Sequence, residues 1–281
     1  MATTPGRPSR FPVSLASAQE GLRRQAPEML RPQRPLRDAA AAALRRDVPA
    51  GLGLDSETVR LRMIERLRRG SVAVESTVLE AMARIPRHLF VDSALAIQAY
   101  EDTSLPIGHG QTISKPTVVA RMISLLMQRP NVQHALHAPQ VLPSPPFRHV
   151  LEIGTGCGYQ AAVLSLLSRR VTSVERIHPL HERAKNSLRD LGLSQVRLVF
   201  GDGRLGHPGS APFEAIIAAA GGDDVPTPWL EQLAVGGRLV APTHSDSHGG
   251  QVLLVIDRDE SGWHRSVHDG VHFVPLESGT L

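Results

Sequence analysis

Between Asp55 and Gln128 the apolar residues recur three and four apart, the period of helices with one buried face. Val59, Met63, Ile64 and Leu67 predict a first helix that Asp55 or Ser56 can cap and Gly70 ends. Val78, Leu79, Met82 and Ile85 predict a second from Ser76, stopped by Pro86, and a third is expected over 93–100. Pro106, Gly108 and Gly110 read as a loop, and Pro116 then starts a helix that turns Val118, Val119, Met122, Ile123 and Leu126 inward. Past residue 146 the period changes. The runs 149–153, 171–174, 196–200, 215–219, 238–241 and 252–256 are largely apolar, as strands buried on both faces of a parallel sheet are. Helical stretches at 159–168, 179–191 and 228–233 fall between them and supply crossovers, so a doubly wound α/β domain is expected. Only a turn at 257–262 separates the last two strands (252–256 and about 267–274), which predicts an antiparallel C-terminal edge.

Two segments lack either period. Residues 1–54 are rich in Pro, Ala and Arg and read as a disordered basic tail. Residues 129–146 hold five prolines and read as an insert or linker between the helical part, 55–128, and the α/β domain, 147–281. This division changes what the charge means. The 281-residue chain carries a formal net charge of +4, which by itself would invite a nucleic-acid hypothesis. Residues 1–50, however, hold nine Arg against four acids, a net of +5, leaving 22 basic and 23 acidic groups in 51–281, a net of −1. A single cysteine excludes a disulfide framework and a zinc site built on paired cysteines, and points to a reducing compartment. The opening residues lack the apolar run of a secretory signal and no stretch reaches a membrane-spanning length, so a cytoplasmic protein with no membrane or nucleic-acid partner is expected.

The candidate chemistry begins at the end of the first α/β strand, in Leu151-Glu152-Ile153-Gly154-Thr155-Gly156-Cys157-Gly158. Glycines here let the backbone turn sharply and approach a ligand, and the following helix offers unpaired N–H groups; a tight turn with no ligand is the plain alternative. The Gly-x-Gly-x-Gly spacing differs from the Gly-x-Gly-x-x-Gly of pyrophosphate binders, whose third glycine packs the helix one position later. Glu175 ends the second strand, 21 residues after Gly154, where a carboxylate can accept from both hydroxyls of a ribose. Asp202, after the third strand, lies where an adenine edge could donate to it. Either acid taken alone reads equally as a cap or a solvated loop residue. The glycine loop has no Lys or Arg to cradle a triphosphate, so a ligand with ribose and adenine but no phosphate fits best, and S-adenosylmethionine is such a ligand.

LEIGTGCGYQ, VERI, GDGR, FEAII and QLAVGGRLVAP, preceded by AMARIPRHLFV and AYEDTSLPIGHGQTISKPTVVARM, resemble the protein-L-isoaspartate (D-aspartate) O-methyltransferases in order and spacing. The resemblance runs from about Val59 to Leu276, where VHFVPL matches the last strand, and leaves out residues 1–55 and the insert. It implies a Rossmann-like methyltransferase sheet and methyl transfer from S-adenosylmethionine to the free carboxylate of L-isoaspartyl or D-aspartyl residues in damaged proteins and peptides. The resulting ester closes to a succinimide, whose hydrolysis restores some normal aspartyl bonds. It also implies Ser114 as the active-site residue, with Gln111, Thr112 and Ile113 beside the substrate, and Glu152, Gly154, Gly156, Glu175, Asp202 and Gly203 around the cofactor. Composition and spacing would not have selected Ser114, which can equally cap the helix that Pro116 starts. No metal is expected, and the molecule is expected to be a monomer.

A carboxylate is already ionised at neutral pH, so the attacking oxygen needs no general base and no catalytic histidine is sought. His244, His248, His264, His268 and His272 read as polar-face residues, Cys157 as a small residue in a turn, and Trp229 and Trp263 as packing. Two stretches depart from the family pattern at strand ends, Ala219-Ala220-Gly221-Gly222-Asp223 and Pro242-Thr243-His244 with the polar loop after it, and they bear on peptide preference. Two other readings remain at this stage. One is a nicotinamide oxidoreductase on the same fold; the other is an inactive domain whose basic tail binds a polyanion.

Overall fold

The computed structural model describes residues 56–129 and 145–281; the expected tail and nearly all of the Pro-rich insert lie outside the described residues. Helix α1 (Ser56–Arg69) buries Met63, Ile64 and Leu67 and leaves its arginines on the other faces. Helix α2 (Ser76–Arg84) buries Val78, Leu79, Ala81 and Met82, and Pro86 follows its end. Two short 3₁₀ turns come next, Arg87–Phe90 and Ser93–Gln98. The second replaces the helix expected over 93–100. None of its residues is buried, and a segment that short cannot hold an α-helix without a face to dock.

The loop expected around 106–110 is a hairpin, β1 (Leu105–Gly108) against β2 (Gln111–Ile113), turned by Gly108, His109 and Gly110 at positive φ. Pro106 and the three-residue length of β2 hid the pairing, while Leu105, Ile107 and Ile113 bury their side chains from it. Helix α3 (Pro116–Met127) follows, with Val119, Met122, Ile123 and Leu126 buried as the spacing predicts and Val118, also expected inward, only half-buried.

The α/β domain comprises β3 (Phe147–Ile153), α4 (Tyr159–Ser165), β4 (Ser168–Glu175), α5 (His178–Asp190), β5 (Val196–Phe200), β6 (Phe213–Ala218), α6 (Thr227–Gln232), β7 (Leu233–Ser245), β8 (Gly250–Asp259) and β9 (Gly262–Val271). Its sheet order is β5-β4-β3-β6-β7-β8-β9, parallel from β5 to β7 and antiparallel at β8 and β9. Chain order reverses between β3 and β6, which opens a crevice beyond their carboxyl ends. β5 is an outer strand and leaves Phe200 41% exposed, so the expectation that this run is buried on both faces holds only for the inner strands. One apolar cluster joins α1, α2 and α3 to the helices and strands of the α/β domain, and a second lies on the α6 side. Polar ties cross the same seam. Arg238 forms a bidentate pair with Asp257 and donates to the Leu125 carbonyl of α3, and Arg183 of α5 donates to the Ile107 carbonyl of β1. Among the described residues no helix is long and apolar enough to cross a membrane.

Candidate active site

A cleft opens beyond the carboxyl ends of β3, β4 and β6. Its floor is the glycine loop. Gly154, Gly156 and Gly158 all have positive φ, so each turns the chain where a side chain would be strained. A Cβ on Gly156 would also stand 3.1 Å from Ile107 Cδ1 of β1. Gly158 sits directly before α4, and a Cβ there would come within 3.3 Å of Ala184 of α5. The third glycine thus serves close packing of a neighbouring helix after all, at the shorter spacing.

Glu175 is nearly fully buried at the end of β4 and lines the cleft. One carboxylate oxygen accepts from the Gly156 N–H at 2.7 Å and the other from the Ile177 N–H at 2.9 Å, which ties the glycine loop to the start of α5. Gly203 lines the cleft as well and lies so close to β3 that a Cβ would meet Ile153 Cγ2 at 2.7 Å. The Trp229 indole N–H holds it there by donating to its carbonyl at 2.8 Å, a supporting contact that a packing assignment for Trp229 did not foresee.

Two of the expected cofactor residues are not in the cleft wall. Asp202 accepts from the Arg204 N–H at 2.8 Å and from the Gly279 N–H at 2.7 Å; it caps the turn after β5 and ties down the C-terminus. Glu152, on the inner strand β3, has no exposed surface. It accepts from Ser173 Oγ, which is itself hydrogen-bonded to Thr155 Oγ1 at 2.5 Å, so Glu152 reaches the cleft only through the Thr155 that lines it. Burial pushes the Glu152 carboxyl up to about 8; the Ser173 and Gln160 side chains work against that rise and the Glu175 charge adds to it. The Gln160 amide stands near enough to act on the acid without a formed hydrogen bond, and Glu152 Oε1 has no hydrogen-bond partner among the described residues.

Gln111, Thr112, Ile113 and Ser114 come to the cleft from the opposite side, on β2 and the turn into α3. Lys115 takes the cap position of α3 without a side-chain capping bond, so Ser114 does not cap that helix, and its hydroxyl makes no hydrogen bond to any described residue. Thr112, Ser114, Ala219 and Val274 also line an adjoining hollow, together with Lys115, Gln251 and His272. Ser114 therefore stands in the wall shared by two hollows.

Sequence reasoning missed the C-terminal segment, which sends Val274, Pro275, Leu276 and Glu277 into the cleft wall. Arg176 secures it, donating to the Gly279 carbonyl and pairing with Glu277 at 2.6 Å, and the Leu281 N–H donates to the Arg176 carbonyl. The available signal was VHFVPL, a largely apolar run near the C-terminus, but nothing in it indicates what it covers. Cys157 is buried in the loop, and burial pushes its thiol above the usual range, which disfavours a nucleophilic thiolate.

Comparison with known proteins agrees with this geometry. Residues 58–281 match the family model described as protein-L-isoaspartate(D-aspartate) O-methyltransferase. The chain belongs to the protein-L-isoaspartate(D-aspartate) O-methyltransferase family. A protein-L-isoaspartate O-methyltransferase of Methylibium petroleiphilum is 54% identical over 96% of each chain. One from Leptothrix cholodnii is 54% identical over 98% of this chain and 96% of its own. Among solved structures, a protein-L-isoaspartate O-methyltransferase with 26% identity superposes with a TM-score of 0.65 over 78% of this chain and 66% of that one. A further structure, a putative member from Plasmodium falciparum in complex with S-adenosyl-L-homocysteine, has the same fold at 22% identity, with a TM-score of 0.64 over 78% of this chain and 98% of that one.

Within this member of the protein-L-isoaspartate(D-aspartate) O-methyltransferase family, both departures from the usual pattern lie around the C-terminal segment. Gly221 donates to the Val274 carbonyl and accepts from the Leu276 N–H, and a Cβ on it would strike Gln251 at 2.7 Å. Gly222 bridges to Thr243, and its carbonyl accepts from the His244 N–H. Gly221 thus ties the C-terminal segment by its backbone and leaves room for Gln251, and Gly222 ties the neighbouring β7.

Proposed function

We propose that this protein is a repair enzyme that transfers the methyl group of S-adenosylmethionine to the free carboxylate of L-isoaspartyl or D-aspartyl residues in damaged proteins and peptides. The observation that carries the proposal is Ser114, placed in the wall between a glycine-floored cleft and an adjoining hollow with its hydroxyl bonded to no described residue. The cleft suits a nucleoside carrying no phosphate. Its glycines leave backbone where side chains would fill it, Glu175 offers a carboxylate within it, and Gly203 forms a thin wall that a flat ring can approach. When bound there, S-adenosylmethionine supplies a methyl group already activated on a sulfonium.

The rest is positioning. The adjoining hollow receives the peptide, and Lys115 on its rim favours an anionic group. The Ser114 hydroxyl has its hydrogen free to donate to one oxygen of the substrate carboxylate and so direct the other. Orienting two reactants in this way can supply about 7–11 kcal/mol in favourable cases. Opposite charges cancel during the transfer, so the apolar wall of Ile107, Ile153 and Leu276 assists it by excluding water. Glu152 and Asp202 act from behind the wall, Glu152 through Ser173 and Thr155 and Asp202 through the C-terminal segment. A cytoplasmic enzyme working without a metal is consistent with this chemistry.

A methyl-transfer assay on an isoaspartyl peptide and its normal aspartyl isomer tests the reading. Only the isoaspartyl peptide is expected to be labelled, and Ser114→Ala is expected to bind S-adenosylhomocysteine normally while losing most turnover. Equal labelling of the two isomers would end the repair reading, and undiminished turnover in Ser114→Ala would remove Ser114 from the mechanism.

A further inference from the structure

Arg87 is a fully buried arginine with no ion pair among the described residues. Carbonyl oxygens and a ring meet part of its charge, while Nη1 is buried with no hydrogen-bond partner among the described residues. Nε donates to the Ala99 carbonyl at 2.7 Å, Nη2 donates to the Ser114 carbonyl at 2.8 Å, and Cζ stands 4.8 Å from the centroid of the Tyr159 ring. Burial lowers its pKa, yet a guanidinium remains charged in a protein. Filling this space with Leu or Met would avoid the desolvation of a cation, so packing alone does not account for an arginine here. Its three contacts do. They join the 3₁₀ turn at Ala99, the residue at the shared wall, and the first residue of the helix that leaves the glycine loop. The segment is held on either side by the Leu105–Ile113 pairing and by the Thr117 N–H, which donates to Asp102 at 2.9 Å. Between those ties Lys115 makes no side-chain cap and the Ser114 hydroxyl bonds to no described residue, so the Ser114 carbonyl is where Arg87 grips the chain between β2 and α3.

We propose that Arg87 is a positioning residue for methyl transfer, fixing Ser114 relative to the glycine loop by gripping the Ser114 carbonyl while stacking on Tyr159. The inference rests on the reading of Ser114 as the residue that orients the substrate carboxylate. A planar guanidinium can send two N–H groups in set directions and present a face to a ring at once, whereas a lysine ammonium is a point donor and cannot meet all three partners.

Arg87→Lys tests this, through turnover on an isoaspartyl peptide, affinity for S-adenosylhomocysteine by calorimetry, and thermal unfolding. Turnover is expected to fall about 10- to 100-fold while affinity changes by less than about three-fold, the split that a misplaced catalytic group gives. The double variant Arg87→Lys with Ser114→Ala is expected to be no slower than Ser114→Ala alone, because the grip then has nothing to place. Additive losses in the double variant overturn the proposal, as does full turnover in Arg87→Lys beside a crippled Ser114→Ala. An active Ser114→Ala is a separate result that overturns the reading of Ser114 itself. Should Arg87→Lys not fold, Arg87→Met leaves no buried charge and takes its place in the same measurements; if neither folds, Arg87 serves folding alone and the proposal fails.

Discussion

At the scale of single residues, the tertiary environment gives Glu152 and Glu175 opposite duties although both end parallel strands of one sheet. Glu175 faces the cleft and spends both oxygens on backbone N–H groups. Glu152 faces the interior, and burial lifts its carboxyl to about 8. Between the unfolded value near 4.5 and about 8 the folded state therefore keeps a proton that the unfolded chain has lost. Stability from this group is complete below the lower value and declines as pH rises towards the upper one. Glu152→Gln, which cannot ionise, is expected to flatten that decline, as read from thermal midpoints between about pH 5 and about pH 9. Parallel curves for the two proteins would show that Glu152 is ionised in the fold. The strand-end position of both acids was legible in the sequence, but their orientation was not, since it depends on which neighbours Ser173 and Gly156 turn towards them.

At the scale of elements, the segment after β9 carries more of the site than its length suggests. Arg176 follows Glu175 directly and grips Glu277 and Gly279, so the strand that ends at Glu175 also fastens the far wall of the cleft. Removing residues 277–281 is expected to weaken S-adenosylhomocysteine binding about ten-fold, equivalent to about 1.4 kcal/mol, with the sheet still cooperatively folded. Calorimetry decides it, and unchanged affinity would reduce the segment to packing. The hairpin β1–β2 illustrates the same limit. Gly108 and Gly110 announced a turn, but pairing between strands of four and three residues is a tertiary outcome, stabilised by burying Leu105, Ile107 and Ile113 under the helices.

At the scale of the whole molecule, stabilisation by ligand separates the competing readings of the fold. S-adenosylhomocysteine is expected to raise the unfolding temperature and NAD to leave it unchanged; at 100 times its dissociation constant a ligand that binds only the folded state adds about 2.7 kcal/mol. A shift with NAD alone would favour the oxidoreductase reading. The basic character of the chain does not bear on this, because the charge of residues 51–281 is close to balanced. What the sequence by itself determined was local in origin. Apolar runs and helical spacing specified a doubly wound sheet, and the glycine loop and Glu175 were readable as short patterns because backbone freedom and strand-end position are short-range properties; the Gln111–Ser114 motif was reached only through the family resemblance. The tertiary structure decided which of these meet. It set Ser114 between two hollows, turned Glu152 and Asp202 to supporting contacts, closed the cleft with residues 274–277 and placed the Arg87 guanidinium against the Ser114 carbonyl. Those juxtapositions join residues tens of positions apart, and they depend on burial and direction, which no spacing along the chain encodes.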